Sequence, residues 1–261
     1  MAATPQNSTD QALVRDMVRA ADPDLTLADP KHVFILSGGI GAGKTTIINR
    51  LKADFHFVSG SPADVMKKAL AIHISEQFND PDPDVDFQTY FDQMLDQSTK
   101  VEYRLLLQGF GEFFSNRDKF YWADQCVAAA EAEYETLARA GVPSGIVFDS
   151  MRRDSEILAV KRRWPNAKHI RLNISHERQV EYLTTILGYD EEKAESTLAH
   201  SSEHWLDDMD GTDYDADFVI DANVDDETTW LQMLGIVVLM MDKTTLELAA
   251  AITEPGDEDN G

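Results

Sequence analysis

Residues 38 to 45 carry the strongest chemical signal in the chain. Gly38, Gly43, Lys44 and Thr45 satisfy the spacing G-x-x-x-x-G-K-[ST], which is typical of loops that hold the phosphates of a nucleoside triphosphate. Glycines let the backbone curl so that successive N–H groups point at phosphate oxygens, and a helix N-terminus favours the same negative charge. The motif therefore predicts that a nucleoside triphosphate binds here, with Lys44 at its β- and γ-phosphates and the Thr45 hydroxyl on Mg²⁺.

The neighbouring sequence supplies the elements that this loop requires. Residues 32–36 form an apolar run rich in β-formers, and residues 44–51 have helical spacing without Gly or Pro. The motif thus lies between a strand and a helix, which is the context that distinguishes a phosphate-binding loop from a chance match. The residues expected to contact the donor are Gly39, Ile40, Gly41, Ala42, Gly43, Lys44, Thr45 and Thr46.

Phosphoryl transfer needs an acceptor held in line and positive charge around the transferred group. Three cationic candidates lie on separate segments: Lys67, Arg104 and Arg152. Arg152 follows a strand-like run, and the carboxyl ends of strands in an open α/β sheet face the ligand crevice. Gln108 and Gly109 share the helical segment of Arg104 and extend the candidate acceptor site.

Acidic residues supply candidates for metal binding and for general base chemistry. Asp149 ends a strand-like run, where it is expected to hold Mg²⁺ or orient the attacking group, or else to cap the next helix. Asp64 follows the second strand and is a candidate general base towards a hydroxyl acceptor. Glu156 either binds a sugar hydroxyl or stabilises a helix N-terminus.

An aromatic residue and a short polar segment complete the candidate site, each with a structural alternative. Trp122 either stacks on a base or packs in the core. His200 and Glu203, in the segment HSSE, either contact a ligand or mark the boundary of a helix. From the residues alone, the helix boundary is the favoured interpretation.

The order of elements predicts an α/β fold with a mostly parallel sheet covered by helices. Strands are expected at 32–36, 55–59, 145–149, 168–173 and 217–221. The interval 61–141 is expected to be mainly helical, with a break near Pro81 and Pro83, and an apolar helix is expected near the C-terminus. The domain prediction is a polar extension over 1–30 containing a helix over 10–21, one kinase domain over 31–252, and an acidic disordered tail over 253–261.

Composition limits the classes of function. The formal net charge of −24, with no Lys or Arg from Ala194 to Asp242, disfavours binding to nucleic acid. Basic clusters at residues 67–68, 152–153 and 161–163 leave a local basic channel open, although solvated helix faces are the simpler interpretation. Cys126 is the only cysteine, which excludes an intramolecular disulfide and favours a cytoplasmic location. No signal peptide or membrane span is expected.

The segments SGGIGAGKTT, ADVMKKAL, YRLLLQGFG, FYW, SMRRDSE and HSSE, in this order, resemble the deoxynucleoside monophosphate kinases of bacteriophages. They are similar, more distantly, to the animal-type phosphomevalonate kinases. The resemblance spans roughly residues 33–220. It implies an adenylate-kinase-like P-loop fold with a five-stranded parallel sheet, the use of ATP and Mg²⁺, and the host cytoplasm as the location if the source is viral. It also implies a lid, roughly over residues 173–202, with Arg178 as its phosphate clamp.

The resemblance further implies roles for the remaining candidates. Lys67, Arg104, Gln108 and Gly109 would bind the acceptor, Trp122 would lie near its base, and Arg152 and Glu156 would lie around its sugar and phosphate. His200 and Glu203 would lie near the nucleotide. Two positions depart from the family. Ser150 stands where the family usually has Asp, so either Asp149 takes that role after a local shift or acceptor recognition has changed. Thr45 stands where the family often has Asp.

Three functions remain open from the sequence. The preferred one is an ATP-dependent kinase that converts a deoxynucleoside monophosphate into its diphosphate, with a homodimer left open. The alternative is a kinase that phosphorylates a hydroxyl acceptor, such as 5-hydroxymethyluracil in phage DNA, with Asp64 or Asp149 as base. The third is a nucleotide-controlled binding module, which leaves most of the motifs without a role.

Overall fold

The computed structural model describes residues 30–77, 87–95, 100–139, 141, 145–151, 153–199 and 215–240. The predicted helix over 10–21 and the predicted acidic tail lie outside these residues. In the part of the chain that is described, no helix has both the length and the apolar character needed to cross a membrane.

A single parallel sheet organises the described residues. Its strands are β1 (His32–Gly38), β2 (Val58–Gly60), β3 (Gly145–Phe148), β4 (Lys168–Asn173) and β5 (Phe218–Asp221). Their order in space is β2-β3-β1-β4-β5, and every neighbouring pair runs parallel. The strand that carries the glycine-rich loop is therefore central, and the predicted α/β class with a five-stranded parallel sheet is confirmed.

The helices follow the strands as the sequence predicts. They are α1 (Lys44–Phe55), α2 (Pro62–Gln77), α3 (Phe87–Leu95), α4 (Lys100–Ser115), α5 (Tyr121–Ala138), α6 (Asp154–Arg163), α7 (His176–Thr185), α8 (Glu191–Leu198) and α9 (Asp226–Met240). Helices α2 to α5 all lie in the long connection between β2 and β3.

One strand prediction is wrong at its boundary. Residues 55–59 were expected to form a strand, whereas Phe55 ends α1 and β2 begins only at Val58. His56 adopts a left-handed conformation with φ of 54° and caps the helix through its backbone N–H, which donates to the Leu51 carbonyl. The aromatic run that resembles a strand thus contains the end of a helix and its cap.

Alternating side chains of β1 place it between two apolar layers, as a central parallel strand requires. Val33 and Ile35 belong to the core formed with α5 and α6, whereas Phe34 and Leu36 belong to the core formed with α1 and α9. A smaller core joins α2, α3 and α4 within the long connection between β2 and β3. The sheet is therefore covered on both faces, and its carboxyl edge is where a ligand would bind.

Candidate active site

The glycine-rich loop forms a tight turn between β1 and α1. Gly41 and Gly43 have φ of 77° and 80°, in the left-handed region that a residue with a Cβ rarely adopts. Gly43 is also the N-cap of α1, so the helix starts immediately after it. Loops of this kind bind phosphate through backbone N–H groups and the positive end of the helix dipole, so this turn at the start of α1 is suited to hold a phosphate.

Lys44 lies across this loop. Its Nζ donates to the carbonyl oxygens of Gly38 at 2.7 Å and Gly39 at 2.9 Å. Thr45, in the first turn of α1, has an exposed side chain. The ammonium of Lys44 thus lies on the loop backbone and Thr45 is open to solvent in the first turn of α1, while their contacts with phosphate and Mg²⁺ stay predictions.

Asp149 lies immediately after β3, the strand next to β1. Phe148 pairs with Ile35, so Asp149 is level with Leu36 and close to the start of the glycine-rich loop. Its backbone N–H donates to the Gly60 carbonyl at 2.7 Å, which ties the ends of β3 and β2 together. Its Oδ1 is buried and has no hydrogen-bond partner among the described residues. A buried carboxylate oxygen without a partner is costly and suits a site for a cation or its water ligands.

Ser150 adopts a left-handed conformation with φ of 57°. Such a conformation is unfavourable for a residue with a Cβ, and strained residues concentrate at functional sites. In the sequence Ser150 directly follows Asp149 and directly precedes the buried Met151. The position at which the sequence departs from the resembled family is therefore a strained turn at the edge of the site.

Asp64 and Lys67 form an ion pair in the first turns of α2. Lys67 Nζ donates to Asp64 Oδ1 at 2.7 Å, and only 12% of the lysine side chain is exposed. This joins the candidate base to a candidate acceptor-binding residue. The i, i+3 spacing of the two residues on one helix makes the pairing possible.

Three of the candidate carboxylates surround one buried thiol. Burial raises the pKa of Cys126, and the charges of Glu156, Asp64 and Asp149 raise it further. All three acidic groups therefore lie within electrostatic range of the same point between α5 and β3. The charges of three carboxylates that are far apart in the sequence thus act on one thiol, which lies next to Gly60 and Phe148 at the ends of β2 and β3.

Glu156 has a structural role in the described residues. Its carboxylate accepts a hydrogen bond from the backbone N–H of Arg153 at 3.1 Å, so that it caps α6.

Trp122 is 8% exposed, packs against Phe110 and Phe114, and donates its indole N–H to the Gly111 carbonyl at 3.1 Å. The structural alternative offered for Glu156 and for Trp122 is thus present.

The remaining acceptor candidates are described less fully. Arg104 lies in α4, and its side chain is outside the described residues; Gln108 and Gly109, on the same helix, are exposed. Arg152, His200 and Glu203 also lie outside the described residues.

Arg178, the predicted phosphate clamp, lies exposed on α7. Its guanidinium donates to Glu181 at 2.7 Å, one turn further along the same helix. Two other residues of α7, Gln179 and Tyr182, contact the glycine-rich loop directly. No motif predicted either contact, because nothing local in the sequence of a helix shows which of its residues reach a distant loop.

The basic cluster at residues 161–163 is neutralised by acidic partners. Lys161 and Lys168 lie 3.6 Å and 3.4 Å from carboxylate oxygens of Asp217. Arg162 pairs with Asp124 at 2.8 Å, and Arg163 pairs with Glu131. These residues form a surface of alternating charge rather than a basic channel.

No family model matches the chain, and no curated protein matches it. Three solved structures show a distant likeness. The protein TT1252 from Thermus thermophilus is 13% identical with a TM-score of 0.44, over 82% of this chain and 100% of the other. A sugar kinase from Janibacter sp. HTCC2649 is 15% identical with a TM-score of 0.43, over 80% and 95%.

A dephospho-CoA kinase from Campylobacter jejuni is 14% identical with a TM-score of 0.45, over 79% of this chain and 95% of the other. At this distance the likeness assigns neither an activity nor a substrate to the chain. The central β1 strand, the glycine-rich loop and Lys44 define an α/β fold of the P-loop type on their own.

Proposed function

We propose that the protein is an ATP-dependent phosphotransferase whose acceptor is a deoxynucleoside monophosphate. The observation that carries the proposal is the position of Asp149. A buried carboxylate oxygen without a described partner lies beside a complete phosphate-binding loop. A carboxylate there can hold Mg²⁺ at the transferred group, and Lys67 supplies a cation for an acceptor, which a module that only binds nucleotide does not need.

The donor would bind at the loop between β1 and α1. The backbone N–H groups of the loop would receive the phosphates, and Lys44 would move from the carbonyls of Gly38 and Gly39 to the β- and γ-phosphates. The Thr45 hydroxyl and the Asp149 carboxylate would hold Mg²⁺, the latter through water. When bound, Mg²⁺ neutralises charge that develops on the phosphate oxygens.

The acceptor would bind next to α2 and α4. Lys67 is held by Asp64 in a mostly buried position, so its ammonium is oriented before the acceptor arrives. The resemblance adds Arg104 and Arg152 as further phosphate ligands. Such cations would bring two anionic phosphates together and suppress their repulsion.

A monophosphate acceptor also accounts for the pairing of Asp64. A phosphate monoester is already largely ionised at neutral pH, because its second pKa is about 6, so its oxygen needs no general base. An acceptor hydroxyl does need a base. In this proposal Asp64 is a positioning residue that orients Lys67.

Charge favours a small acceptor over DNA. The net charge is −24, and the described basic cluster around α6 is paired with Asp124, Glu131 and Asp217. Binding to DNA depends on cations that are available to phosphates, and paired cations contribute less. This arrangement supports a free nucleotide as the acceptor.

The test is transfer of label from ATP labelled at the γ-phosphate, in the presence of Mg²⁺. Each deoxynucleoside monophosphate is offered separately, and DNA that contains 5-hydroxymethyluracil is offered in parallel. Label in a nucleoside diphosphate is the expected result and identifies the base. Label only on DNA would replace this proposal by the hydroxyl-acceptor alternative, and tight ATP binding with no labelled acceptor would favour the binding module.

A further inference from the structure

The glycine-rich loop is in contact with one segment of the chain along its whole first half. That segment comprises the end of β4 and the helix α7. We propose that it is a fixed brace of the phosphate-binding loop, and that Gln179 and Tyr182 are positioning residues which set the affinity for the nucleoside triphosphate. This inference rests on the nucleotide-binding part of the proposed function.

The base of the loop is held by β4. Ser37 Oγ lies 2.7 Å from Nε2 of His169, and both side chains are buried. A Cβ at position 38 would lie only 2.7 Å from the carbonyl oxygen of Leu172. The strand that leads into the loop is thus packed closely against β4, and the buried contact between Ser37 and His169 opposes its separation from β4.

The tip of the loop is held by α7. A Cβ at position 39 would overlap Nε2 of Gln179, and the same amide donates to the Ile40 carbonyl at 3.4 Å. A Cβ at position 41 would lie 2.8 Å from the ring of Tyr182. Both side chains therefore pack directly on the loop backbone, and the glycines make this approach possible.

Ile40 joins the loop to a small apolar core. Its side chain packs against the buried cluster of Leu183, Ala194 and Leu198, which belong to α7 and α8. Moving an apolar side chain out of such a cluster exposes apolar surface to water, which costs about 25 cal/mol of free energy per Å². Moving α7 away from the loop would therefore carry a cost before any bound phosphate is considered.

Five consecutive residues, Ser37 to Gly41, thus contact β4 or α7. Phosphate binding by backbone N–H groups depends on groups that are already oriented, because ordering them on binding would reduce the affinity. The brace supplies this orientation. The sequence predicts a moving lid over residues 173–202, which include α7. In the present proposal α7 does not move with such a lid but stays on the loop whether or not nucleotide is bound.

The direct test measures the affinity for a non-hydrolysable ATP analogue by calorimetry. Tyr182→Ala removes the ring that lies on Gly41 and should weaken binding about tenfold. Tyr182→Phe retains the ring and should restore the affinity of the unaltered protein. The matched control is Thr185→Ala on the same helix, where the exposed hydroxyl donates only to the Glu181 carbonyl. Unchanged affinity in folded Tyr182→Ala would overturn the proposal.

Steady-state kinetics distinguish a specific effect on the phosphate-binding loop from a general effect on the structure. The KM for ATP should rise in Tyr182→Ala and in Gln179→Ala, while the KM for the acceptor stays the same. An equal rise in both KM values would contradict the brace, because the acceptor site does not include α7.

The distance between α7 and α1 tests the brace while Gln179 and Tyr182 are unaltered. Spin labels attached at the exposed positions Thr185 on α7 and Lys52 on α1 should give the same distance with and without the analogue. A distance that changes when the analogue binds would show a moving lid and overturn the proposal. Because neither binding nor this distance needs an acceptor, an unchanged distance in a protein that phosphorylates no monophosphate would refute the proposed kinase and leave the brace intact.

Discussion

The donor and acceptor halves of the candidate site are built in different ways. In the donor half, the phosphate-binding loop is held by backbone packing against β4 and α7, and Lys44 lies within it. In the acceptor half, the described polar groups are held by their own neighbours: Asp64 by Lys67, and Glu156 by the start of α6. In the first half the candidate ligands are mainly main-chain groups supported by other elements, and in the second they are side chains held by residues three positions away in the sequence.

This difference has a consequence for substrate specificity. A loop made of backbone N–H groups recognises phosphate whatever the rest of the ligand is, because the groups that bind belong to the main chain. Side-chain pairs can be altered one residue at a time without disturbing the sheet. Under the proposed function, we expect substrate specificity to change through these side chains, and the strained Ser150 directly follows Asp149 in the sequence.

The largest effect is expected in the donor half. Lys44→Ala should lower kcat by about a hundred- to a thousandfold, because one positioned cation at the transferred group is lost. The fold should be unchanged, since the described contacts of the ammonium are hydrogen bonds to the carbonyls of Gly38 and Gly39 and the side chain is not part of a buried core cluster. Circular dichroism and steady-state kinetics measure the two properties. Catalysis retained in a folded variant would contradict a P-loop mechanism.

Asp149→Asn should separate activity from stability. We expect kcat to fall about a hundredfold and the Mg²⁺ requirement to rise, because an amide is a poorer partner for a hydrated cation. The free energy of unfolding should stay the same or rise, because the substitution removes a carboxylate charge at a buried Oδ1 that has no described hydrogen bond to lose. Mg²⁺ titrations and urea denaturation give these values. A large loss of stability with normal activity would show that Asp149 is structural.

A smaller effect is expected in the acceptor half. Lys67→Ala should raise the KM for the acceptor about tenfold and leave the KM for ATP unchanged. Lys68→Ala is the matched control, because Lys68 is the next residue and is exposed. Equal effects of the two substitutions would argue against a specific role for Lys67.

The companion variant Asp64→Asn distinguishes the two acceptor classes. A monophosphate acceptor predicts a raised KM, because the carboxylate only orients Lys67. A hydroxyl acceptor predicts a loss of kcat instead, because the base is removed. Comparing the change in KM with the change in kcat therefore distinguishes a phosphate acceptor from a hydroxyl acceptor.

The smallest effect concerns the strained turn. Ser150→Gly should raise the free energy of unfolding by about 0.5 to 1 kcal/mol, because relief of the left-handed conformation exceeds the entropy that glycine costs. Gly43→Ala is the reverse control, because it adds a Cβ at a position whose φ is 80°. That Cβ would meet nothing within 4 Å, so any loss of stability reflects the backbone conformation alone. Thermal unfolding measures both. A destabilised Ser150→Gly would mean that the serine side chain, and not strain, governs this turn.

The sequence predicts those parts of the molecule that depend on local patterns. The glycine-rich loop and its flanking strand and helix follow from residue types and spacing, and the boundaries of β4 match the predicted 168–173. The start of β2 does not match its predicted position, because the left-handed His56 ends α1 inside an aromatic run that resembles a strand. Local patterns cannot show where such a conformation interrupts them.

The contacts between distant residues are beyond a single sequence. Gln179 and Tyr182 reach the loop because β4 lies beside β1, and nothing in the sequence of α7 marks them. The pairing of Lys67 with Asp64 could have been anticipated from their spacing, which allows an i, i+3 contact on one helix. Residues whose roles depend on tertiary packing become apparent only in the fold.

The central claim is that phosphoryl transfer at this loop goes to a nucleotide and not to water. The most direct measurement compares ADP and deoxynucleoside diphosphate formed from ATP and a mixture of the four deoxynucleoside monophosphates, with Lys44→Ala as the blank. The account predicts that ADP appears only with acceptor, in a one-to-one ratio with diphosphate, and that the blank forms neither. ADP formed at the same rate without acceptor, or no ADP under either condition, would contradict it.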